Sequence, residues 1–129
     1  RIDITKISQK SDYYDAIICN HVLEHIIDDK LAMSELFRVL KKGGYAILQV
    51  PISFKNQYTI EDDSVIDPDE RRRVFGQSDH VRIYGRDYIT RLENVGFKVE
   101  LFDVKEEFSE IEINKYSLLA DEKIFVCTK

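Results

Sequence analysis

Two histidines and a glutamate fall within five consecutive residues, from His21 to His25. Their pattern, H-x-x-E-H, is the inverted zinc-peptidase signature, in which histidines four residues apart on one helix bind zinc. That chemistry needs a long helix and a further acidic ligand, whereas here an apolar stretch typical of a strand ends just before His21. The simpler alternative is that Glu24 and His25 cap a helix or tie it to nearby loops. We favour a mixed assignment: Asn20 and His21 face a ligand at the strand end, Glu24 and His25 are structural, and no residue is assigned to a metal.

A second polar cluster, Asp79 to Tyr84, follows a long acidic segment and precedes a predicted helix. His80 is a candidate general base, because an imidazole titrates near neutral pH and could deprotonate a hydroxyl or an amine. Arg82 and Tyr84 are candidate substrate ligands, since a guanidinium binds a carboxylate or phosphate as a planar fork. The alternative is that Asp79, His80 and Arg82 hold the loop together through hydrogen bonds. The sequence leaves both interpretations open.

The elements around the first cluster form one predicted β-α-β unit. Residues 16–19 are apolar without alternation, as in a strand that helices cover on both faces. The next segment carries the apolar stripe of an amphipathic helix, begins at a capping Asp28, and is expected to end at Gly43 in the left-handed conformation. A second buried strand follows over residues 46–50, closed by Pro51. The crossover of such a unit is right-handed.

This unit resembles the second half of the class I, seven-stranded methyltransferases that use S-adenosylmethionine, in particular those of type 11. Their pattern has a Val-Leu-Glu-His turn after a strand and a helix ending Arg-Val-Leu-Lys-Pro-Gly-Gly. This chain has the same turn at residues 22–25 and Arg-Val-Leu-Lys-Lys-Gly-Gly at residues 38–44, so Lys42 replaces the usual proline. The resemblance continues to Lys129. It implies an α/β fold, a partial Rossmann-like methyltransferase sheet with flanking helices, in which the last two strands form the only antiparallel pair.

The resemblance also implies where the cofactor lies. Asp3 is similar to the family's third-strand aspartate, whose carboxylate accepts a hydrogen bond from the adenine amino group, and Ile4 follows it; the alternative is an ordinary loop-forming aspartate. Asn20 and His21 are implied to border the same pocket, and His21 joins His80 as a candidate catalytic residue. A few members, including those that make ubiquinone, hold a divalent cation at the equivalent turn. Their first acidic position is His21 here, which argues against that site.

The main cofactor-binding features of the family are absent from the sequence. Its members hold S-adenosylmethionine through a Gly-rich loop after the first strand and an acidic residue after the second. The five glycines of this chain form no G-x-G motif, and the chain opens at Arg1 on residues that resemble the end of the third strand. We therefore expect residues 1–129 to be the C-terminal part of one methyltransferase domain, without its N-terminal cofactor-binding half.

Composition restricts the class of protein. A hydrophobic content of 43% with 33% charged residues indicates a soluble globular chain. The net charge of −5 argues against nucleic-acid or anionic-membrane binding, and no apolar run approaches the ~20 residues of a membrane span. Cys19 and Cys127 lie in predicted buried strands, which favours reduced core thiols in the cytoplasm. We expect a small-molecule substrate and neither a nucleic acid nor a membrane as partner.

The remaining chain alternates predicted helices and strands after one long irregular segment. Segments of that length in compact domains are usually lids or binding loops. The segments are an irregular stretch over residues 52–67, helices over 69–75, 85–95 and 109–116, and strands over 97–104 and 123–128.

Two functional hypotheses follow. The first is methyl transfer from S-adenosylmethionine to a small-molecule acceptor by the parent protein, with this fragment inactive alone. The second is a truncated or degenerate domain that serves as a binding or assembly module without catalysis. In either case the strand over residues 15–20 lacks its family neighbour, and its open edge predicts homo-oligomers that pair through it. Alternatively, the segment over residues 1–4 extends to the partner chain.

Overall fold

The computed structural model describes residues 2–129, so that Arg1 lies outside the described residues. Four strands form the main sheet in the order β1-β2-β6-β5. Their bounds are Tyr14–Asn20 for β1, Leu40–Gln49 for β2, Lys98–Asp103 for β5 and Lys123–Thr128 for β6. Strands β1 and β2 are parallel, as the predicted β-α-β unit requires, and the predicted α/β fold with a partly parallel sheet is confirmed.

The antiparallel part of the sheet is larger than expected. Strand β6 pairs antiparallel with β5, as predicted, and also antiparallel with β2. The expectation of a single antiparallel pair is therefore wrong. The reason is geometric: β6 lies between β2 and β5, and its direction opposes both neighbours.

Helix α1, Asp29–Val39, begins where the sequence predicts and ends four residues before Gly43. The Asp28 carboxylate accepts a hydrogen bond from the Leu31 amide at 2.9 Å, which caps the first turn. At the other end Leu40 is extended and starts β2. Gly43 does have a positive φ of 76°, but it lies inside β2, where the pairing with β1 is irregular.

Long-range contacts explain this early helix end. The amides of Asp12 and Tyr13 donate to the carbonyls of Arg38 and Val39 at 3.0 and 2.8 Å. The Lys129 ammonium donates to the carbonyls of Arg38 and Leu40. The carbonyls that a glycine-based cap would satisfy are thus taken by distant donors, so no left-handed turn is needed.

Strand β1 is less covered than its composition predicts. Ile18 is 72% exposed, and Ala16 is exposed as well. Among residues 2–129, β1 pairs only with β2, which leaves its outer edge open. An apolar groove of about 510 Å³ runs along it, lined by the β1 side chains together with Ile4, Ile7 and Leu36. The expectation of burial on both faces is therefore wrong for the part of the chain described.

The second half of the chain places short elements against the strand ends. The long irregular segment contains β3, Ile60–Glu61, which pairs antiparallel with β4, Arg82–Ile83. The three helices predicted for this region are confirmed with small shifts of their bounds, and Asp67 caps the first of them. A further short helix, Val104–Glu107, was not predicted and begins at the last residue of a predicted strand. The helices are α2, Pro68–Phe75; α3, Tyr88–Asn94; α4, Val104–Glu107; and α5, Glu110–Tyr116. None of the helices that the structure describes has the length and apolar character needed to cross a bilayer.

The core lies between α1, α3 and the sheet. Tyr84, Tyr88 and Phe125 are its largest fully buried side chains and pack ring against ring, with centroids 4.6 and 5.2 Å apart. Both cysteines are buried and unpaired in this core. Burial raises the pKa of the Cys19 thiol to about 11 and that of Cys127 to about 12.

Substitution of Gly96 tests how tightly the turn between α3 and β5 is packed. It has a φ of 114°, and a Cβ there would lie 2.7 Å from the Phe37 ring, which Phe97 and Lys129 hold in place. Gly76, with a φ of 90°, has open space around it. Both alanine variants carry left-handed strain of roughly 1–2 kcal/mol. We expect Gly96→Ala to lower the free energy of unfolding by about 1–3 kcal/mol more than Gly76→Ala in urea titrations, because overpacking adds to the strain. Equal losses would contradict this packing.

Candidate functional site

The candidate site is built on the turn that follows β1 at its carboxyl end. His21 has a left-handed backbone, with a φ of 54°, and its amide donates to the Gln49 carbonyl at 2.8 Å. A non-glycine residue with this conformation costs free energy, and such residues concentrate at functional sites. The turn then continues as a short 3₁₀ helix, Leu23–His25. The His21 side chain is 61% exposed and points to solvent at the rim of the site.

Glu24 lies beneath this turn with its side chain only 2% exposed. Its Oε1 atom is 3.5 Å from His21 Nδ1 and 3.9 Å from His25 Nε2. Its Oε2 atom is buried without any hydrogen-bond partner among residues 2–129. The Glu24 charge also adds to the burial that raises the pKa of Cys19. A buried carboxylate oxygen without a partner is costly, so this position needs an explanation.

The structure brings the two sequence clusters together. The Val81 amide donates to the Glu24 carbonyl at 3.0 Å, which places His80 against the turn after β1. The rings of His25 and His80 meet edge to face with centroids 4.8 Å apart. His80 itself is buried. Its role as a general base stays an untested prediction, and its burial does not favour direct contact with a substrate.

Arg82 connects the turn to the rest of the fold. Its guanidinium is buried and donates to the carbonyls of Leu23 and Ile27 at 3.0 and 2.8 Å, and to that of Ile26. Its Nε atom donates to the Glu61 carboxylate at 3.0 Å. These donors are engaged inside the protein. The substrate-binding role of Arg82 stays untested, and these contacts favour the alternative in which it holds the loops together.

Tyr84 completes the same arrangement. Its hydroxyl donates to Asp29 Oδ2 at 2.8 Å, and burial beside the Asp29 charge raises the pKa of Tyr84 well above its usual value. Arg91 binds both Asp29 and Glu61, at 3.1 and 2.6 Å. The hydrogen bond from Arg91 is the main cause that lowers the pKa of Glu61. Glu61 and Arg91 have no predicted role, because no local signal in the sequence pairs residues 30 positions apart.

The cofactor-binding candidates lie on the other side of the turn. Asp3 accepts hydrogen bonds from the Thr5 hydroxyl and amide at 2.7 and 2.9 Å through one oxygen, and these bonds lower the pKa of Asp3. A cavity of about 600 Å³ is lined by Asp3, Ile4 and neighbouring apolar residues, among them Val22 of the turn. Asn20 lies instead at the end of the groove along β1. The structure thus places Asp3 and Ile4 beside Val22 of the turn, whereas neither Asn20 nor His21 is among the residues that line this cavity.

Comparison with known proteins assigns the chain to a family. Residues 2–101 match the model of the family described as "Methyltransferase domain". No curated protein sequence matches the chain. Three solved structures share the fold at low identity. The cyclase SpnF is 15% identical with a TM-score of 0.63, over 99% of this chain and 55% of SpnF. An S-adenosylmethionine dependent methyltransferase from Mesorhizobium loti is 17% identical with a TM-score of 0.60, over 100% of this chain and 68% of that one.

The third structure is phosphoethanolamine N-methyltransferase 2 from Haemonchus contortus, in complex with phosphomonomethylethanolamine and S-adenosylhomocysteine. It is 16% identical with a TM-score of 0.60, over 98% of this chain and 36% of that one. The chain therefore spans little more than half of SpnF and about a third of the Haemonchus enzyme. At these identities the similarity shows the fold alone.

The variant Tyr84→Phe distinguishes a structural role of the Tyr84 hydroxyl from a role in substrate binding. We expect the variant to lower the free energy of unfolding by about 1–3 kcal/mol, because Asp29 loses a buried donor. Tyr45→Phe is the matched control: Tyr45 is half-exposed on β2, and its change should stay within about 0.5 kcal/mol. Urea titrations give both numbers. A Tyr84→Phe chain of unchanged stability would contradict the structural role and favour the substrate contact.

Proposed function

Because this chain belongs to the methyltransferase domain family, we propose that it is the C-terminal half of an enzyme that transfers a methyl group from S-adenosylmethionine to a small-molecule acceptor. The observation that carries the proposal is the cavity in which Asp3 and Ile4 lie beside the turn after β1. Ligands in open α/β sheets bind at the carboxyl ends of the strands, and this cavity lies at such an end.

The residues that line this cavity suit the adenine end of S-adenosylmethionine. Asp3 is exposed, and only one of its carboxylate oxygens is used by Thr5, so the other can accept from an amino group. The apolar side chains of Ile4, Val22 and Ile26 can cover the flat face of an aromatic base. These contacts support Asp3 and Ile4 as adenine-binding residues.

His21 is the residue that we place nearest to the acceptor. It is the more exposed of the two candidate catalytic histidines, and the hydrogen bond from its amide to the Gln49 carbonyl holds it at the strand end. The sulfonium of S-adenosylmethionine is already activated, so the enzyme has to align the acceptor and remove at most one proton. An imidazole at this place can do so. We propose a small-molecule acceptor because the net charge of −5 disfavours a nucleic acid as substrate. The two unpaired cysteines support a cytoplasmic location.

The isolated chain should bind S-adenosylmethionine weakly. It has no G-x-G loop and no ribose-binding acid, which leaves Asp3 and the turn. Calorimetric titration of residues 1–129 should give no dissociation constant below about 100 μM. In the parent protein Asp3→Ala should weaken binding roughly tenfold, the effect of one hydrogen bond to a charged group. Asp15→Ala, an exposed aspartate on β1, is the control and should bind normally. Micromolar affinity of the isolated chain would show that it already holds a complete site.

We further propose that the open edge of β1 pairs with its own copy in the isolated chain. The edge joins unpaired backbone groups to exposed apolar side chains, Ile18 above all, beside an apolar groove. A two-fold antiparallel pairing is the simplest closed solution. The binding-module alternative uses the same surface for assembly without catalysis.

Light scattering tests this pairing. The chain should scatter as a dimer of the 15.2 kDa protomer, and Ile18→Lys should return it to a monomer because a charge on the edge opposes strand addition. Ile111→Lys is the control: Ile111 is 79% exposed on α5, far from the edge, and its variant should remain a dimer. A monodisperse wild-type monomer would rule out the pairing.

A further inference from the structure

Three side chains with metal-binding atoms converge beneath the turn after β1. They are Glu24, His25 and His80, whose potential ligand atoms all lie within 4.8 Å of one another. A second observation singles out this cluster: Glu24 Oε2 is buried and lacks a partner among the described residues. In the neighbouring network every carboxylate is matched by an arginine or a hydroxyl. We propose that Glu24, His25 and His80 bind a divalent transition-metal ion, with zinc as the ion that their chemistry favours.

The donor set selects the kind of ion. Two imidazole nitrogens and one carboxylate suit zinc and similar first-row ions, whereas magnesium and calcium prefer oxygen ligands. Around tetrahedral zinc, ligand atoms about 2.0–2.1 Å from the ion lie roughly 3.3 Å apart. His25 Nε2 and Glu24 Oε1 are 3.9 Å apart, so small side-chain rotations bring the atoms to that distance. Three protein ligands leave a further position for water or another ligand.

The tautomer of His25 also suits a ligand. Its Nδ1 atom lies 3.1 Å from the Asp79 carbonyl and can only donate to that oxygen. The proton is then on Nδ1, which leaves the lone pair of Nε2 facing Glu24. Metal-binding histidines commonly have their second nitrogen fixed in this way.

The backbone around the cluster is held from both sides. The Val81 amide donates to the Glu24 carbonyl, and Arg82 donates to the carbonyls on either side of the turn. The ligands therefore come from two segments that are fixed to each other before any ion binds. A metal ion here would cross-link the turn after β1 to the segment that leads to β4.

This ligand set differs from both sites that the sequence suggests. The H-x-x-E-H signature uses His21 and His25, and the family's cation site uses an acidic residue at position 21. In the proposed site the third ligand is His80 instead, which lies more than 50 residues further along the chain than Glu24 and His25. Glu24 and His25 then bind an ion rather than only holding the turn in place.

Zinc titration of the purified chain, after removal of bound metals with a chelator, tests the proposal. We expect one zinc ion per chain by calorimetry and by metal analysis. A zinc concentration one hundred times the dissociation constant should raise the Tm by roughly 5–10 °C, because the ion binds the folded state. Magnesium should give no comparable shift. Absence of zinc binding at 100 μM would overturn the proposal, whether or not the parent protein transfers methyl groups.

The variants identify the ligands. Glu24→Gln and His80→Ala should each weaken zinc binding at least tenfold, whereas His21→Ala should change it less than threefold. Glu100→Gln, an exposed glutamate on β5, is the matched control and should bind as the wild type does. Loss of binding in His21→Ala with normal binding in His80→Ala would overturn the ligand assignment.

The stability of the metal-free variants provides a second, independent measurement. Glu24→Gln keeps the shape of the side chain and removes the charge of a buried carboxylate whose Oε2 atom lacks a hydrogen-bond partner among the described residues. Its metal-free Tm should therefore equal or exceed that of the wild type. A large drop would mean that the Glu24 carboxylate already has protein partners, which would contradict the orphaned oxygen on which the proposal rests. Circular dichroism confirms that each variant is folded before its binding is compared.

Discussion

The buried guanidinium of Arg82 is the interaction on which the rest of the site depends. A guanidinium is always charged and needs acceptors for its five N–H groups when it leaves water. Here the acceptors are three carbonyls of the turn after β1 and the Glu61 carboxylate. Breaking a buried ion pair on one side costs about 3–5 kcal/mol, so this arrangement ties the turn, β3 and β4 into one unit. His80 reaches the turn because it lies two residues before Arg82.

Local signals in the sequence predicted the elements well where local forces decide them. Asp28 caps α1 as predicted, because an N-cap needs only a short side chain and the next two or three amides, and Asp67 caps α2 in the same way although that cap was not predicted. The helix end predicted at Gly43 is wrong. Gly43 does have a positive φ, but donors from Tyr13 and Lys129 bind the carbonyls at the end of α1, so the helix ends earlier. Such donors are distant in sequence and leave no local trace.

The candidate site was predictable only in pieces for the same reason. The two clusters around His21 and His80 were recognisable by residue type, and Asp3 by resemblance. Their contact through the Val81 amide, and the balance of two arginines against Asp29 and Glu61, depend on pairings between residues far apart in the chain. The exposure of Ile18 has a related origin. The apolar residues of β1 suit a strand with neighbours on both sides, and residues 2–129 supply one. That mismatch supports the proposal that another strand pairs with this edge.

Asp29 and Glu24 are buried carboxylates of the same region, and they differ in their partners. This difference is the strongest physical argument about function. Asp29 is buried and has three partners: Tyr84, Arg82 and Arg91. Glu24 is buried just as deeply and leaves one oxygen without any among the described residues. The described residues thus supply partners for the Asp29 carboxylate but none for Glu24 Oε2. Local violations of this kind are expected where a site is kept for a ligand. Two imidazoles already stand beside Glu24, so the missing partner is best explained as a cation with affinity for nitrogen and oxygen.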